Sequence, residues 1–429
     1  MRFFQALLLA AVLANLGGCV KLTLAWADLK GDGDAASPPV LGAFGDGAPV
    51  ESEEEWRAAR APALKDAFQR HIYGRMPETS ALTLSERRLL DDTAFGGAGR
   101  LIEYKLNARV GFGSEVRETG VFYMDVVTPK GAENPPIILM QTFCPRWNTI
   151  PHPAIHRPEG ADGCEGGGIL RGVMTYVFGR YIATPPIEMI LDRGYAVATI
   201  YPSEFAPDNR ARGLAALTAL APGMAGDARW GAIAAWAWGY SLMIDALAAD
   251  EAFAASPFIT WGHSRYGKSA LVAAAFDERI DAVVSHQSGT GGASLNRRKK
   301  GESVKAITDN YPHWFASAYG AFAGREEEMP VDQHQLLALI APRPVLLGNA
   351  RRDVWSDPNG AFRAAMGADP VYELMGAEGL DQTRLDQWKP DADIAFWLRA
   401  GTHGVVKEDW PAFLEFLDAH FGEDKAFTR

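Results

Sequence analysis

The segment Phe258-Ile259-Thr260-Trp261-Gly262-His263-Ser264-Arg265-Tyr266-Gly267-Lys268 combines residue types suited to nucleophilic catalysis. A short apolar run ends in Gly-His-Ser, and an Ala-rich stretch follows at once. A sharp turn at such a junction lifts the serine hydroxyl above a sheet edge, beside a helix N-terminus. Backbone N–H groups there can stabilise an oxyanion. The pattern departs from Gly-x-Ser-x-Gly, because Tyr266 holds the place of the second glycine and Gly267 comes one residue later. Taken alone, it is also compatible with a plain strand–helix turn.

A nucleophilic serine needs a base and an acid, and in sheets with this kind of elbow they follow in the order Ser, acid, His. Five of the nine histidines follow Ser264: His286, His313, His334, His403 and His420. The base belongs in a loop after the last strand. His403 meets that condition in Arg399-Ala400-Gly401-Thr402-His403-Gly404, directly after the apolar run Ile394–Arg399. His420 falls within a helical pattern and reads as a helix-face residue. The acid belongs after the preceding strand, where Asn349-Ala350-Arg351-Arg352-Asp353-Val354-Trp355-Ser356-Asp357-Pro358 offers Asp353 and Asp357. Asp353 is the better placed, since Asp357 precedes Pro358 and suits a helix cap. In this scheme His403 takes the Ser264 proton and Asp353 orients the imidazole. The serine attacks an acyl carbon, and water then releases the acid. No metal or organic cofactor is required.

The elements that must hold these residues can be traced along the chain. Apolar runs at Pro136–Phe143, Tyr195–Tyr201, Phe258–Gly262, Ala282–His286, Pro344–Gly348 and Ile394–Arg399 read as strands, and Glu115–Val127 alternates like a half-buried one. Helical spacing marks Trp56–Tyr73, Trp230–Ala249, Tyr266–Asp277, Val331–Ile340, residues 359–367 and Glu408–Phe421. Apolar strands alternating with helices imply a mostly parallel central sheet covered on both faces. No linker divides residues 51–429, so they are expected to form a single catalytic domain.

The run Ser264-Arg265-Tyr266-Gly267-Lys268 resembles the Ser-Arg-x-Gly-Lys signature of the glucuronoyl esterases, carbohydrate esterase family fifteen, where the late glycine is regular. Further bacterial-type matches are His71-Ile72-Tyr73-Gly74-Arg75-Met76-Pro77, Ser288-Gly289-Thr290-Gly291-Gly292, Gly301-Glu302-Ser303-Val304, Pro312-His313-Trp314-Phe315, Asp353-Val354-Trp355-Ser356-Asp357-Pro358 and Gly401-Thr402-His403-Gly404. They span the chain from about residue 65 to its end. The resemblance implies an α/β-hydrolase fold, a three-layer α/β/α sandwich, and cleavage of esters between 4-O-methyl-glucuronic acid of xylan and lignin alcohols. It further implies that Arg265 supports the oxyanion and that Lys268, Glu302 and Trp355 bind the uronate. The partner would be a uronate-bearing polysaccharide or lignin–carbohydrate fragment, met by a monomer.

One departure stands out. Many members of that family carry a catalytic Glu just before Ser-Gly-x-Gly-Gly, and here the position is Gln287. An amide cannot serve as the anionic member of a triad, so the acid falls to Asp353, as in some bacterial members. The loop after Phe143, which usually contains Gly-Asn, reads Cys144-Pro145-Arg146-Trp147-Asn148. Two other readings stay open: an acetyl or feruloyl polysaccharide esterase on the same fold, and a carbohydrate-binding lipoprotein whose catalysis has decayed.

The 429 residues are 48% apolar and 22% charged, which excludes a disordered, collagen-like or coiled-coil chain. Lys and Arg number 42 against 53 Asp and Glu, a net charge of −11, which argues against generic nucleic-acid binding. Residues 1–27 read as an export signal, with Arg2 ahead of the apolar run Phe3–Leu16. Leu16-Gly17-Gly18-Cys19 resembles a lipoprotein signal that would make Cys19 a lipidated membrane tether. The rival is ordinary cleavage after Ala25-Trp26-Ala27. Either implies export, to the periplasm or outer membrane in the first case or as a secreted protein in the second. Residues 28–50, rich in Gly, Asp, Ala and Pro, read as a flexible tether. With Cys19 lipidated, Cys144 and Cys164 remain as a pair, and an oxidising compartment favours a disulfide between them. His152 and His156 lie between them and raise a zinc reading, but Pro151, Pro153 and Pro158 oppose the helix that would stack the two histidines.

Overall fold

The computed structural model describes residues 38–157, 164, 178–224 and 229–422. Residues 1–27, read from sequence as an export signal, with Cys19 among them, and residues 28–37 lie outside the described residues. Residues 38–50, read from sequence as the end of a flexible tether, are instead packed on the body. Val40 and Val50 are buried. The Arg60 guanidinium donates to the carbonyls of Val40 and Ala48, at 2.8 Å each, and His334 Nε2 lies 2.8 Å from the Pro38 carbonyl.

Six apolar runs become the middle of the molecule: β5 (Ile137–Gln141), β6 (Ala196–Ile200), β7 (Phe258–His263), β8 (Ala282–His286), β9 (Val345–Ala350) and β10 (Ile394–Arg399). Every residue of β5 to β9 is buried, which a strand tolerates only when both faces are covered. They pair in parallel in the order β6-β5-β7-β8-β9-β10. Side chains alternate between two cores, as the two-residue strand period requires. Ile137, Leu139 and Val283 enter one core, with Trp236 and Leu271. Ile138, Met140 and Val284 enter the other, with Trp410 and Phe413. Helices α1 (Ala232–Ala248) and α2 (Arg265–Phe276) cover the first face, and α5 (Asp409–Phe421) the second. Between α2 and α5 in sequence lie α3 (Val304–Asn310) and α4 (Pro358–Leu374). The result is the three-layer α/β-hydrolase architecture.

On the far side of β6 the sheet turns antiparallel. There β1 (Thr79–Ala94), β2 (Gly99–Phe112) and β4 (Phe122–Pro129) form a wing, with β3 (Glu115–Glu118) pairing β2. Among the described residues ten strands make one sheet. The stretch Glu115–Val127, read as one strand, is broken into β3 and β4 around Gly120. The long β1–β2 hairpin escaped sequence reading because β1 is almost wholly exposed and its pairing shifts register three times. Among the described residues no helix is long and apolar enough to cross a membrane.

Candidate active site

Ser264 is the single residue between β7 and α2. It adopts φ 57° and ψ −122°, a conformation that costs a non-glycine residue roughly 1–3 kcal/mol. The surrounding turn leaves no room for a side chain at Gly262 and little at Gly267. A Cβ on Gly262 would lie 2.0 Å from the Tyr266 carbonyl oxygen. One on Gly267 would lie 3.0 Å from Ser288 Cβ, where the first turn of α2 crosses the segment after β8. The late glycine therefore serves this close approach. The Ser264 amide donates to the His286 carbonyl at 2.8 Å, tying the elbow to β8. The Arg265 amide stands at the first position of α2, where N–H groups have no partner within the helix and the helix dipole favours negative charge.

The C-terminal ends of β9 and β10 bring Asp353 and His403 together. His403 Nδ1–H donates to Asp353 Oδ2 at 2.6 Å. The His403 ring centroid lies 4.6 Å from that of His263, the residue preceding Ser264, which sets the imidazole beside the elbow. Asp353 is 3% exposed. Burial alone would raise its carboxyl, but the bonds from His403 and Ser356 outweigh burial and hold it below the usual carboxylate range. With the proton on Nδ1, His403 Nε2 is left as an acceptor. Asp357 has another task. Its Oδ1 accepts from the Gly360 amide at 3.1 Å and caps α4, while Oδ2 accepts from the Lys300 amide at 3.3 Å.

The remaining histidines after Ser264 have settled partners. His286 is buried, with Nδ1 3.2 Å from that of His263. His313 pairs with Asp208, and the His420 ring packs on Phe416 within α5.

Arg265 extends from α2 to Asp208, Nη1 to Oδ2 at 2.9 Å, with its guanidinium 4.8 Å from the Phe143 ring. Asp208 also accepts from His313 Nε2 at 2.9 Å and Trp314 Nε1 at 2.7 Å. Burial pushes the Asp208 carboxyl up, but these bonds and the Arg265 charge prevail and keep it ionised. Nothing in the sequence around Asp208 marked it for this role. Phe143 begins the loop that carries Cys144, which is joined to Cys164 in a disulfide with Cα atoms 5.5 Å apart. His152 pairs with Asp91 at 3.1 Å, and His156 stacks on Tyr123.

Lys268, Glu302 and Trp355 are linked through backbone. The buried Lys268 ammonium donates to the carbonyls of Ser288 and Thr290, the latter at 2.7 Å. The Thr290 hydroxyl donates to the Glu302 carbonyl, and the Glu302 amide to the Trp355 carbonyl at 3.2 Å. A Cβ on Gly301 would meet the Trp355 carbonyl oxygen at 2.5 Å, so only glycine lets the two loops close. Burial pulls the Lys268 ammonium down to about 8, against the raising effect of the Glu302 charge. Trp355 is 72% exposed, while Asp353 and Ser356 in the same loop are each 3% exposed.

Comparison with known proteins points one way. The family described as glucuronyl esterase, fungi, matches residues 177–376. A "Carbohydrate esterase MZ0003" from an unknown prokaryotic organism is 33% identical over 391 residues, 87% of this chain and 87% of that protein. A solved structure described as a promiscuous CE15 esterase from the marine bacterial metagenome superposes with a TM-score of 0.77 at 32% identity, over 90% of this chain and 98% of its own. A glucuronoyl esterase from Solibacter usitatus gives 0.74 at 29% identity, over 91% and 99%.

Proposed function

The chain belongs to the glucuronoyl esterases of carbohydrate esterase family 15, and from that premise we propose that it cleaves 4-O-methyl-glucuronoyl esters in lignin–carbohydrate material through Ser264, His403 and Asp353. The observation that carries the assignment of roles is the 2.6 Å bond from His403 Nδ1–H to the buried, ionised Asp353 beside the strained Ser264 elbow.

His403 Nε2 takes the Ser264 proton as Oγ attacks the ester carbonyl carbon. Asp353 stabilises the imidazolium without itself being protonated. The carbonyl oxygen gains the negative charge, met by the Arg265 amide at the α2 terminus and by the Arg265 guanidinium that Asp208 holds in place. The C–O bond to the alcohol breaks, and the alcohol leaves with the proton from His403. Water then repeats the sequence on the acyl-serine, releasing the uronic acid and restoring the hydroxyl. The sugar ring would lie against Trp355, with Glu302 and Lys268 toward its hydroxyls.

Hydrolysis of benzyl or methyl glucuronate beside an aryl acetate tests this. Wild type turns over the glucuronate esters, and Ser264→Ala and Asp353→Asn nearly abolish that turnover. Activity surviving Ser264→Ala removes the nucleophile assignment, and a preference for acetate removes the uronate. The Cys144–Cys164 bridge supports an exported, oxidising destination. Mass spectrometry of the mature N-terminus, lipidated at Cys19 or unmodified at Asp28, distinguishes a membrane-tethered from a freely secreted form.

A further inference from the structure

His403 sits in the loop between β10 and α5, residues 400–408, which has no regular secondary structure. Two of its glycines have positive φ, 105° at Gly401 and 151° at Gly404. A general base on such a loop needs its backbone fixed from outside, because small displacements of a proton-transfer group cost large factors in rate. Two buried side chains supply that restraint. Arg399, at the end of β10, donates to the carbonyls of Ala400 at 2.9 Å, Thr402 at 3.1 Å and Gly404 at 2.7 Å, with its Nε on Asp409 at 2.7 Å. The second is Gln287, which is 2% exposed and follows β8.

The Gln287 side chain brackets the base. Its Nε2 donates to the Thr402 carbonyl at 3.2 Å, and its Oε1 accepts from the Gly404 amide at 2.8 Å. These peptide groups lie on either side of His403. The reversed amide would set oxygen against carbonyl and N–H against N–H, so one orientation satisfies both. Gln287 is itself held at φ 50°, with its amide on the Gly348 carbonyl at 2.7 Å. The clamp therefore ties the His403 loop to β8 and β9, the strands beneath the elbow and the acid.

We propose that Gln287 is a positioning residue for His403, fixing through its neutral amide the peptide groups that flank the base. A carboxylate in its place would keep the acceptor for Gly404 but offer no donor to Thr402, and would face that carbonyl with like charge. The residue type is thus matched to a site whose single acid is Asp353. The proposal rests on the reading of His403 as the base.

The test compares Gln287→Ala and Gln287→Glu with wild type in steady-state hydrolysis of benzyl glucuronate, with rates normalised to active sites titrated by a phosphonate. The Ala variant is expected to lose roughly 10- to 100-fold in kcat, with KM unchanged within about twofold. The Glu variant falls between it and wild type. A fall in titratable sites with normal kcat per site would mean a purely structural role and overturns the proposal. So does kcat within about twofold of wild type in the Glu variant, should the Ala variant fail to fold. A rise confined to KM overturns it too. His403→Ala, run alongside, separates the two layers. If it remains active the base assignment fails, whereas an inactive His403→Ala beside fully active Gln287 variants sinks only the clamp.

Discussion

Asp353 and Trp355 stand two residues apart in one loop, yet the first is 3% and the second 72% exposed. They represent two regions built by different means. In the floor, each proposed catalytic group is buried or half-buried and held by short polar contacts: Asp353 by His403 and Ser356, Arg265 by Asp208, the His403 loop by Gln287 and Arg399. At the rim, the Trp355 backbone is fixed by the Glu302 amide and the close pass of Gly301, while the residue is largely exposed. The floor fixes where charge and protons go. The rim offers an exposed aromatic face, against which the proposed uronate ring would exchange water. Changes in the floor should therefore act on kcat, and changes at the rim on KM.

The sharpest break in that contrast comes from the floor. Ser264→Ala is expected to reduce kcat by at least about 10⁴-fold, since it removes the attacking atom. Asp353→Asn should cost about 10⁴-fold, because an amide neither fixes the Nδ1–H tautomer nor stabilises the imidazolium. Asp357→Ala, only four residues on, is the control. It should leave kcat unchanged within about threefold and remove at least about 1 kcal/mol of stability in urea unfolding, because it uncaps α4 and also takes a partner from the Lys300 amide and the buried Lys299 ammonium. Comparable losses of kcat in the two aspartate variants would mean that the acid has been misassigned.

At the rim, Trp355→Ala should raise KM for glucuronate esters by about 3- to 10-fold, the equivalent of 0.5–1.5 kcal/mol of lost stacking. Neither kcat nor the melting temperature should move much, because the residue is 72% exposed. A fall in kcat with KM unchanged would place Trp355 in the floor and erase the distinction.

The two regions also differ in how far sequence alone exposes them. The floor was largely legible. Six buried strands appear as continuous apolar runs, and the elbow, Asp353 and His403 follow from their order at strand ends. Asp357 already carried the signature of a cap in the proline after it. What stayed hidden is what reaches across the fold. Asp208 precedes α2 by more than fifty residues and has no local pattern, so its grip on Arg265 exists only in three dimensions. Gln287 read as a defect, an amide where an acid was expected, because its partners Thr402 and Gly404 lie more than one hundred residues away. The β1–β2 wing was missed for another reason: its exposed, charged and bulged strand gives neither an apolar run nor a clean alternation. Residues 38–50 looked like tether because composition reports polarity and glycine content, while the Arg60 guanidinium that binds them is set by the helix it sits on.

Lys268 spans the two regions, and its titration is read in stability and not in turnover. Its ammonium leaves α2 in the floor and holds the 288–290 backbone, which leads through Thr290 and Glu302 to Trp355. Burial brings it to about 8 from an ordinary 10.5. Below about pH 8 folded and unfolded chains both carry the proton, and the cost of burying the charge stands in full. Between about 8 and 10.5 the folded chain gives up the proton while the unfolded chain keeps it, so that cost is relieved as pH rises. Lys268→Met leaves the Ser288 and Thr290 carbonyls without this donor at every pH, a fixed loss of about 1–3 kcal/mol. Urea unfolding of both proteins from about pH 7 to about pH 10 should therefore show the wild type gaining on the variant toward the alkaline end. A gap that stays flat would mean that Lys268 keeps its proton throughout. The bridge between floor and rim would then be a permanent cation, and recognition at Trp355 would not soften as the lysine titrates.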